Sequence, residues 1–128
     1  MGDDNPVIFR DNGKMEVNAS LAFFQLTRIK LEGAIVRLEA QRGTPEVVYN
    51  TRFYSNENEE IWLSGLTCGK QHAGALGLCE TIAMLGWDKY VSRKEILRIV
   101  LNNNSFRMEF RERDPKTKKI VILNGASQ

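Results

Sequence analysis

Histidine and cysteine are scarce in this chain of 128 residues. It carries one histidine, His72, and two cysteines, Cys68 and Cys79. A closed structural zinc site takes four Cys or His ligands, and only three are available. No metal site and no cofactor is therefore expected. Any Ser-His-Asp or Cys-His chemistry would have to use His72. Long apolar runs are also missing: none exceeds four or five residues, against the roughly 20 a membrane helix needs. The acidic start Met1-Gly2-Asp3-Asp4 lacks the apolar segment of a signal peptide. The expectation is a cytoplasmic chain with reduced thiols and no membrane partner.

What is present is ordinary globular composition, 42% apolar and 27% charged. The length suits a single domain over residues 1–128. Residues 7–17 read as a hairpin around Asp11-Asn12-Gly13, because Asn-Gly suits the positive φ angles of a tight turn. Residues 20–42 are ambiguous between helix and strand. On a helical wheel Phe23, Phe24, Leu26, Ile29 and Val36 fall on all sides. Period-2 alternation fits better, with Arg28, Lys30 and Glu32 against Ile29, Leu31 and Gly33, then Val36, Leu38 and Ala40 against Arg37, Glu39 and Gln41. Gly33 would then be a turn or a bulge. Residues 46–54 and 61–67 read as further strands of an antiparallel meander.

Two helices follow. Residues 73–85 are small and apolar and end at Gly86, a left-handed C-cap residue. Residues 92–102 open on Ser92-Arg93-Lys94-Glu95, a capping box. The chain then closes with a hairpin in which Phe106, Met108 and Phe110 alternate with Arg107, Glu109 and Arg111, turning at Asp114-Pro115. The predicted fold is α+β: a mainly antiparallel sheet of about six to eight strands, with two helices inserted before the last hairpin. The helices cover one sheet face. Given the apolar and aromatic content of the strands, a second copy closing the other face, and hence a homo-oligomer, is the expectation.

Two features point towards function. The first is a strand, glycine-rich loop and helix, with Gly69, Lys70 and His72 ahead of the helix start and Gly74 in its first turn. Helix N-termini favour anions, and glycines let a phosphate approach the backbone. The element is not a P-loop, which would need Gly at 64 and Ser or Thr at 71, where the chain has Ser64 and Gln71. Cys68 and His72 in the same loop suggest a nucleophile and base, without an orienting carboxylate nearby. The second feature is charge asymmetry. Residues 1–60 hold 7 basic and 10 acidic side chains, and residues 61–128 hold 11 and 6. Arg107, Arg111 and Arg113 lie in the basic hairpin, and Arg28 lies beside the aromatic pair Phe23-Phe24.

The function expected is non-catalytic binding of a phosphate-bearing ligand, either a nucleotide or single-stranded nucleic acid. The candidate contacts are Gly69, Lys70, His72, Gly74, Arg28, Arg107, Arg111 and Arg113. The alternatives are a protein-interaction or inhibitor module presenting a sheet face, and an enzyme built on Cys68 and His72.

Overall fold

The computed structural model describes residues 5–44, 46–69, 73–112 and 118–124. One six-stranded sheet runs in the order β1-β4-β3-β2-β5-β6. Its strands are β1 Val7–Arg10, β2 Ile35–Gln41, β3 Thr51–Ser55, β4 Glu59–Leu63, β5 Ser105–Glu112 and β6 Lys118–Asn124. The helices are α1 Val17–Arg28, α2 Ala73–Met84 and α3 Arg93–Asn102, with a short 3-10 turn at Trp87–Lys89. The fold is thus α+β. The sheet is mixed, however, because β1 pairs with β4 in parallel while the other pairs are antiparallel.

The N-terminal hairpin is not formed, and the reason lies in Asp11. Its carboxylate accepts from the Gly13 N–H at 2.9 Å, and Asn12 accepts from Lys14 N–H at 3.0 Å. These two local turns compete with a hairpin. The Asp11 carboxylate also takes the Ser20 hydroxyl at 2.5 Å, the Ser64 N–H at 2.9 Å and the Ser64 hydroxyl at 2.8 Å. One buried side chain thereby ties the end of β1 to the end of β4 and to α1. The chain is led into a helix instead of a returning strand.

Residues 17–28 are accordingly helical, where the alternation of charge had favoured strands. Their buried positions are Ser20, Phe24 and Thr27, spaced four and three residues apart. Two of the three are polar, so an apolar wheel does not find the inward stripe. Leu26 and Ile29, which obscured it, are 62% and 75% exposed. Gly33 is neither turn nor bulge within one long strand. It sits between α1 and β2, where an added Cβ would meet Asn56 Oδ1 at 2.3 Å. Its N–H and that of Glu32 are held by Glu59 at 3.0 and 2.9 Å. The bulge falls slightly later, between Ile35 and Arg37.

Elsewhere the reading and the structure agree more closely, although β3 is Thr51–Ser55 where a strand over 46–54 was expected, and β4 is Glu59–Leu63 where 61–67 was expected. Helix α2 ends before Gly86, which has φ +79°. Ser92 caps α3 by accepting from Glu95 N–H at 3.1 Å. The Glu95 side chain turns to Arg98, so the reciprocal half of a capping box is replaced by a pair within the helix. The last hairpin forms as β5–β6, and its turn lies outside the described residues.

The core lies between the helices and one face of the sheet. Leu38, Phe53, Ile61, Leu63 and Met108 from the strands meet Phe24, Leu78, Ile82, Ile96 and Val100 from the helices. The Phe24 and Phe53 rings are 4.5 Å apart. The alternation along each strand turns its other residues away from the helices. Among the described residues no helix is long and apolar enough to cross a membrane.

Candidate functional site: the open face of the sheet

The strand register assembles two straight rows on the face that no helix covers. One row crosses five strands as Arg10, Trp62, Arg52, Glu39 and Arg107. The other runs Ile8, Glu60, Tyr54, Arg37 and Glu109. Strands lie about 4.8 Å apart, so four steps span roughly 19 Å. Arg111 follows Glu109 two residues along β5. These positions bring five arginines against three glutamates.

The aromatic rings on this face are flanked by cations. The Arg52 guanidinium stands 3.9 Å from the centre of the Trp62 ring, and that of Arg10 stands 5.2 Å from it. Arg37 lies 4.0 Å from the Tyr54 ring. The Trp62 indole N–H donates to Glu60 at 2.7 Å, which links the two rows and restrains the ring. Tyr49 adds a third ring 5.8 Å from Trp62, anchored by its hydroxyl to the Asp11 carbonyl at 3.3 Å. The Tyr54 hydroxyl donates to Glu39 at 3.0 Å. Burial and then the charge of Glu39 raise the Tyr54 pKa, so the phenol stays protonated.

The carboxylates hold the arginines loosely. Arg37 Nε lies 3.5 Å from Glu39, and Arg107 Nε lies 3.2 Å from Glu109. Both are within ion-pair reach, yet neither nitrogen is aligned for a hydrogen bond, although both are shielded from water. Arg111 is better paired, donating to Glu109 at 2.7 and 2.9 Å. The hydrogen bond from Arg111 holds the Glu109 carboxyl below its ordinary value, outweighing the opposing effect of burial. A phosphate could replace these carboxylates at Arg37 and Arg107, since a guanidinium binds either anion through the same fork of donors.

At one end the face deepens into a concavity of about 560 Å³, walled by Glu39, Gln41, Tyr49, Asn50, Arg52, Ser105 and Arg107, among others.

The residues singled out from the sequence do not form one site. Arg107 and Arg111 are on the open face. Arg28 is on the helix side, where its Nη1 donates to the Met84 carbonyl at 3.1 Å and joins α1 to the end of α2. Gly69 has φ +100°, so glycine is needed there for its backbone, but its N–H is taken by the Val100 carbonyl at 2.7 Å. Gly74 is buried in the first turn of α2, on the wall of a separate cleft of about 510 Å³ with Met15, Val17 and Gly65. Lys70, His72 and Arg113 lie outside the described residues. Arg10, Arg37, Trp62 and Tyr54 went unassigned as contacts. The period-2 alternation of each strand carried the signal that would have grouped them.

Cys68 is 1% exposed, and burial pushes its thiol up to about 12, which disfavours the thiolate at neutral pH. His72, the other half of the Cys68–His72 pair, lies outside the described residues. The second copy was expected from apolar surface left uncovered by helices; that face carries the charges and rings of the two rows, with Ile8 and Val121 also on it. Among the described residues no cluster of His, Cys, Asp and Glu could hold a metal.

Comparison with known proteins adds no relative: no family model, no curated protein and no solved structure matches the chain.

Proposed function

We propose that the protein is a non-catalytic binder of a phosphate-bearing ligand, specifically single-stranded nucleic acid laid across the open face of the sheet. The observation that carries this reading is the row Arg10, Trp62, Arg52, Glu39 and Arg107, in which the Trp62 ring stands between two guanidinium groups and a third follows beyond Glu39. Single strands bind where aromatic faces take bases and cations take the backbone between them. Aromatic rings on an open face suit unstacked bases, because bases paired inside a duplex cannot present their faces. The excess of arginine over glutamate favours a polyanion. A nucleotide alone would occupy only part of such a row.

A base stacking on Trp62 displaces the Arg52 guanidinium from the ring towards a neighbouring phosphate. The cation–ring contact in the free protein thus keeps both groups at hand and solvated. Base–aromatic stacking contributes about 1–3 kcal/mol per base, so Trp62→Ala should weaken binding by roughly fivefold to 150-fold. The test is a fluorescence titration with single-stranded oligonucleotides. Trp87 is buried on the helix side, so quenching should come from Trp62 and vanish in Trp62→Phe. Unchanged fluorescence together with undiminished affinity in Trp62→Ala would refute the proposal.

The three glutamates within the rows favour one other reading, a protein-interaction module offering the same face to a partner of mixed charge. Such a partner would bind through Arg10, Arg37 and Arg52 without requiring nucleic acid.

A further inference from the structure

We infer that the outer edge of β6 is an interface at which a second copy of this chain pairs antiparallel, joining two six-stranded sheets edge to edge. The inference stands apart from the binding of nucleic acid and from the open face itself.

The two edges of the sheet differ in how they are protected. A free edge offers unpaired N–H and C=O groups to any extended chain, and proteins blunt it with short strands, proline, charge or bulges. Strand β1 has such protection: it is four residues long, follows Pro6 and ends on the exposed Arg10. Strand β6 ends the sheet on the other side, and among the described residues nothing pairs with its outer edge. It is seven residues long and has no proline. Its register with β5 runs unbroken from Phe106↔Asn124 to Glu112↔Lys118, so no bulge turns the edge away. Four apolar residues follow one another at Ile120-Val121-Ile122-Leu123, and both charges, Lys118 and Lys119, lie at one end. Ile120, Val121 and Ile122 are half-buried, with Ile120 and Ile122 packed on the core.

The strand is its own complement. Full overlap of two antiparallel copies of Lys118–Asn124 places the middle residue, Val121, on the two-fold axis. Ile120 then stands opposite Ile122 of the second copy. Lys119 stands opposite its Leu123, and Lys118 opposite its Asn124. No lysine meets a lysine, and the apolar centres coincide. Sliding the register by one residue would set inward positions against outward ones, which the pleat forbids. The axis is perpendicular to the sheet, so both sets of helices stay on one side and both open faces on the other. A two-fold contact of this kind closes at the dimer.

The test is sedimentation equilibrium of the full chain. Pairing through one strand edge is a small interface, so a reversible monomer–dimer equilibrium is expected between about 1 and 500 µM. A chain that stays monomeric over this range, or that assembles past the dimer, would overturn the inference. Val121→Lys sets two lysines face to face on the axis, which should weaken the dimer at least about tenfold. The same lysine faces Glu109 across the β5–β6 pair, an opposite-charge pairing that supports the monomer. A folded Val121→Lys variant that dimerises like the wild type would place the contact elsewhere and overturn the inference. Amide hydrogen exchange of the wild-type protein decides the matter if that variant does not fold. Alternate residues of β6 turn their N–H outward, and these should exchange more slowly in concentrated than in dilute protein. Dimerisation without such slowing would overturn it as well.

Discussion

Removing the Asp11 carboxylate should unfasten the corner from which the open face is built. Asp11 is 7% exposed and accepts four hydrogen bonds, from Gly13 N–H, Ser20 Oγ, Ser64 N–H and Ser64 Oγ. The two serine hydroxyls are themselves acceptors, Ser20 from Gly65 N–H at 2.8 Å and Ser64 from Met15 N–H at 3.1 Å. In Asp11→Ala the Ser64 N–H and both hydroxyl protons lose their acceptor in a space water does not reach. A buried donor left unmade costs about 1–3 kcal/mol, and hydroxyl rotation recovers part of that, so the net loss should be about 3–5 kcal/mol. For a chain of this size 1 kcal/mol shifts Tm by about 4 °C, giving a fall of roughly 12–20 °C. Asp11→Asn keeps the shape but turns one acceptor into a donor facing other donors. It should therefore lose nearly as much. Urea denaturation followed by circular dichroism measures both variants. A loss below about 1 kcal/mol in Asp11→Ala, or full stability in Asp11→Asn, would refute the assignment of this carboxylate as the tie between β1, β4 and α1.

Two other predictions concern titrating groups. Burial opposes charge on Glu59, but the N–H groups of Glu32 and Gly33 and the Ser55 hydroxyl hold its carboxyl below the ordinary value of 4.5. The fold gains from this charge above that value and loses the gain as pH falls through the lower folded-state pKa. The destabilisation caused by Glu59→Gln should thus be full at neutral pH and shrink in acid, as read by denaturation at a series of pH values. A pH-independent difference would contradict it. Cys68, with its thiol up at about 12, should resist a thiol reagent at pH 8 until the protein is unfolded. Rapid labelling of native Cys79→Ser, which leaves Cys68 as the one thiol, would show that the site is open.

The strands, α3 and the last hairpin were legible because their apolar residues follow one period, and α2 because its residues are small and apolar; the helix ends carry ordinary caps, as at Ser92 and Gly86. Helix α1 was not legible. Its inward stripe includes Ser20 and Thr27, which are hidden by tertiary hydrogen bonding and not by hydrophobicity. The Asn-Gly dipeptide suggested a hairpin, since local turn chemistry gives no hint that Asp11 bonds to a residue 53 positions away. Strand alternation already separated Arg37 and Glu39 from Leu38, and Arg52 and Tyr54 from Phe53. Grouping them with Trp62 and Arg107 needed the strand order and register, which are long-range facts. The glycine-rich loop drew attention by composition alone. Its Gly69 N–H turns out to be engaged by α3, and its Gly74 packs within α2.

The salt dependence of oligonucleotide binding tests the central claim most directly. Single strands release counterions with a slope of about −0.7 per phosphate neutralised. Of the five arginines on the open face, Arg111 is firmly paired with Glu109, leaving three or four to meet phosphates. The logarithm of the association constant should therefore fall against the logarithm of salt concentration with a slope of about −2 to −3. The double variant Arg52→Gln, Arg107→Gln should flatten it by about 1.4. A slope near zero, or a slope unchanged in the double variant, would contradict nucleic-acid binding by this face.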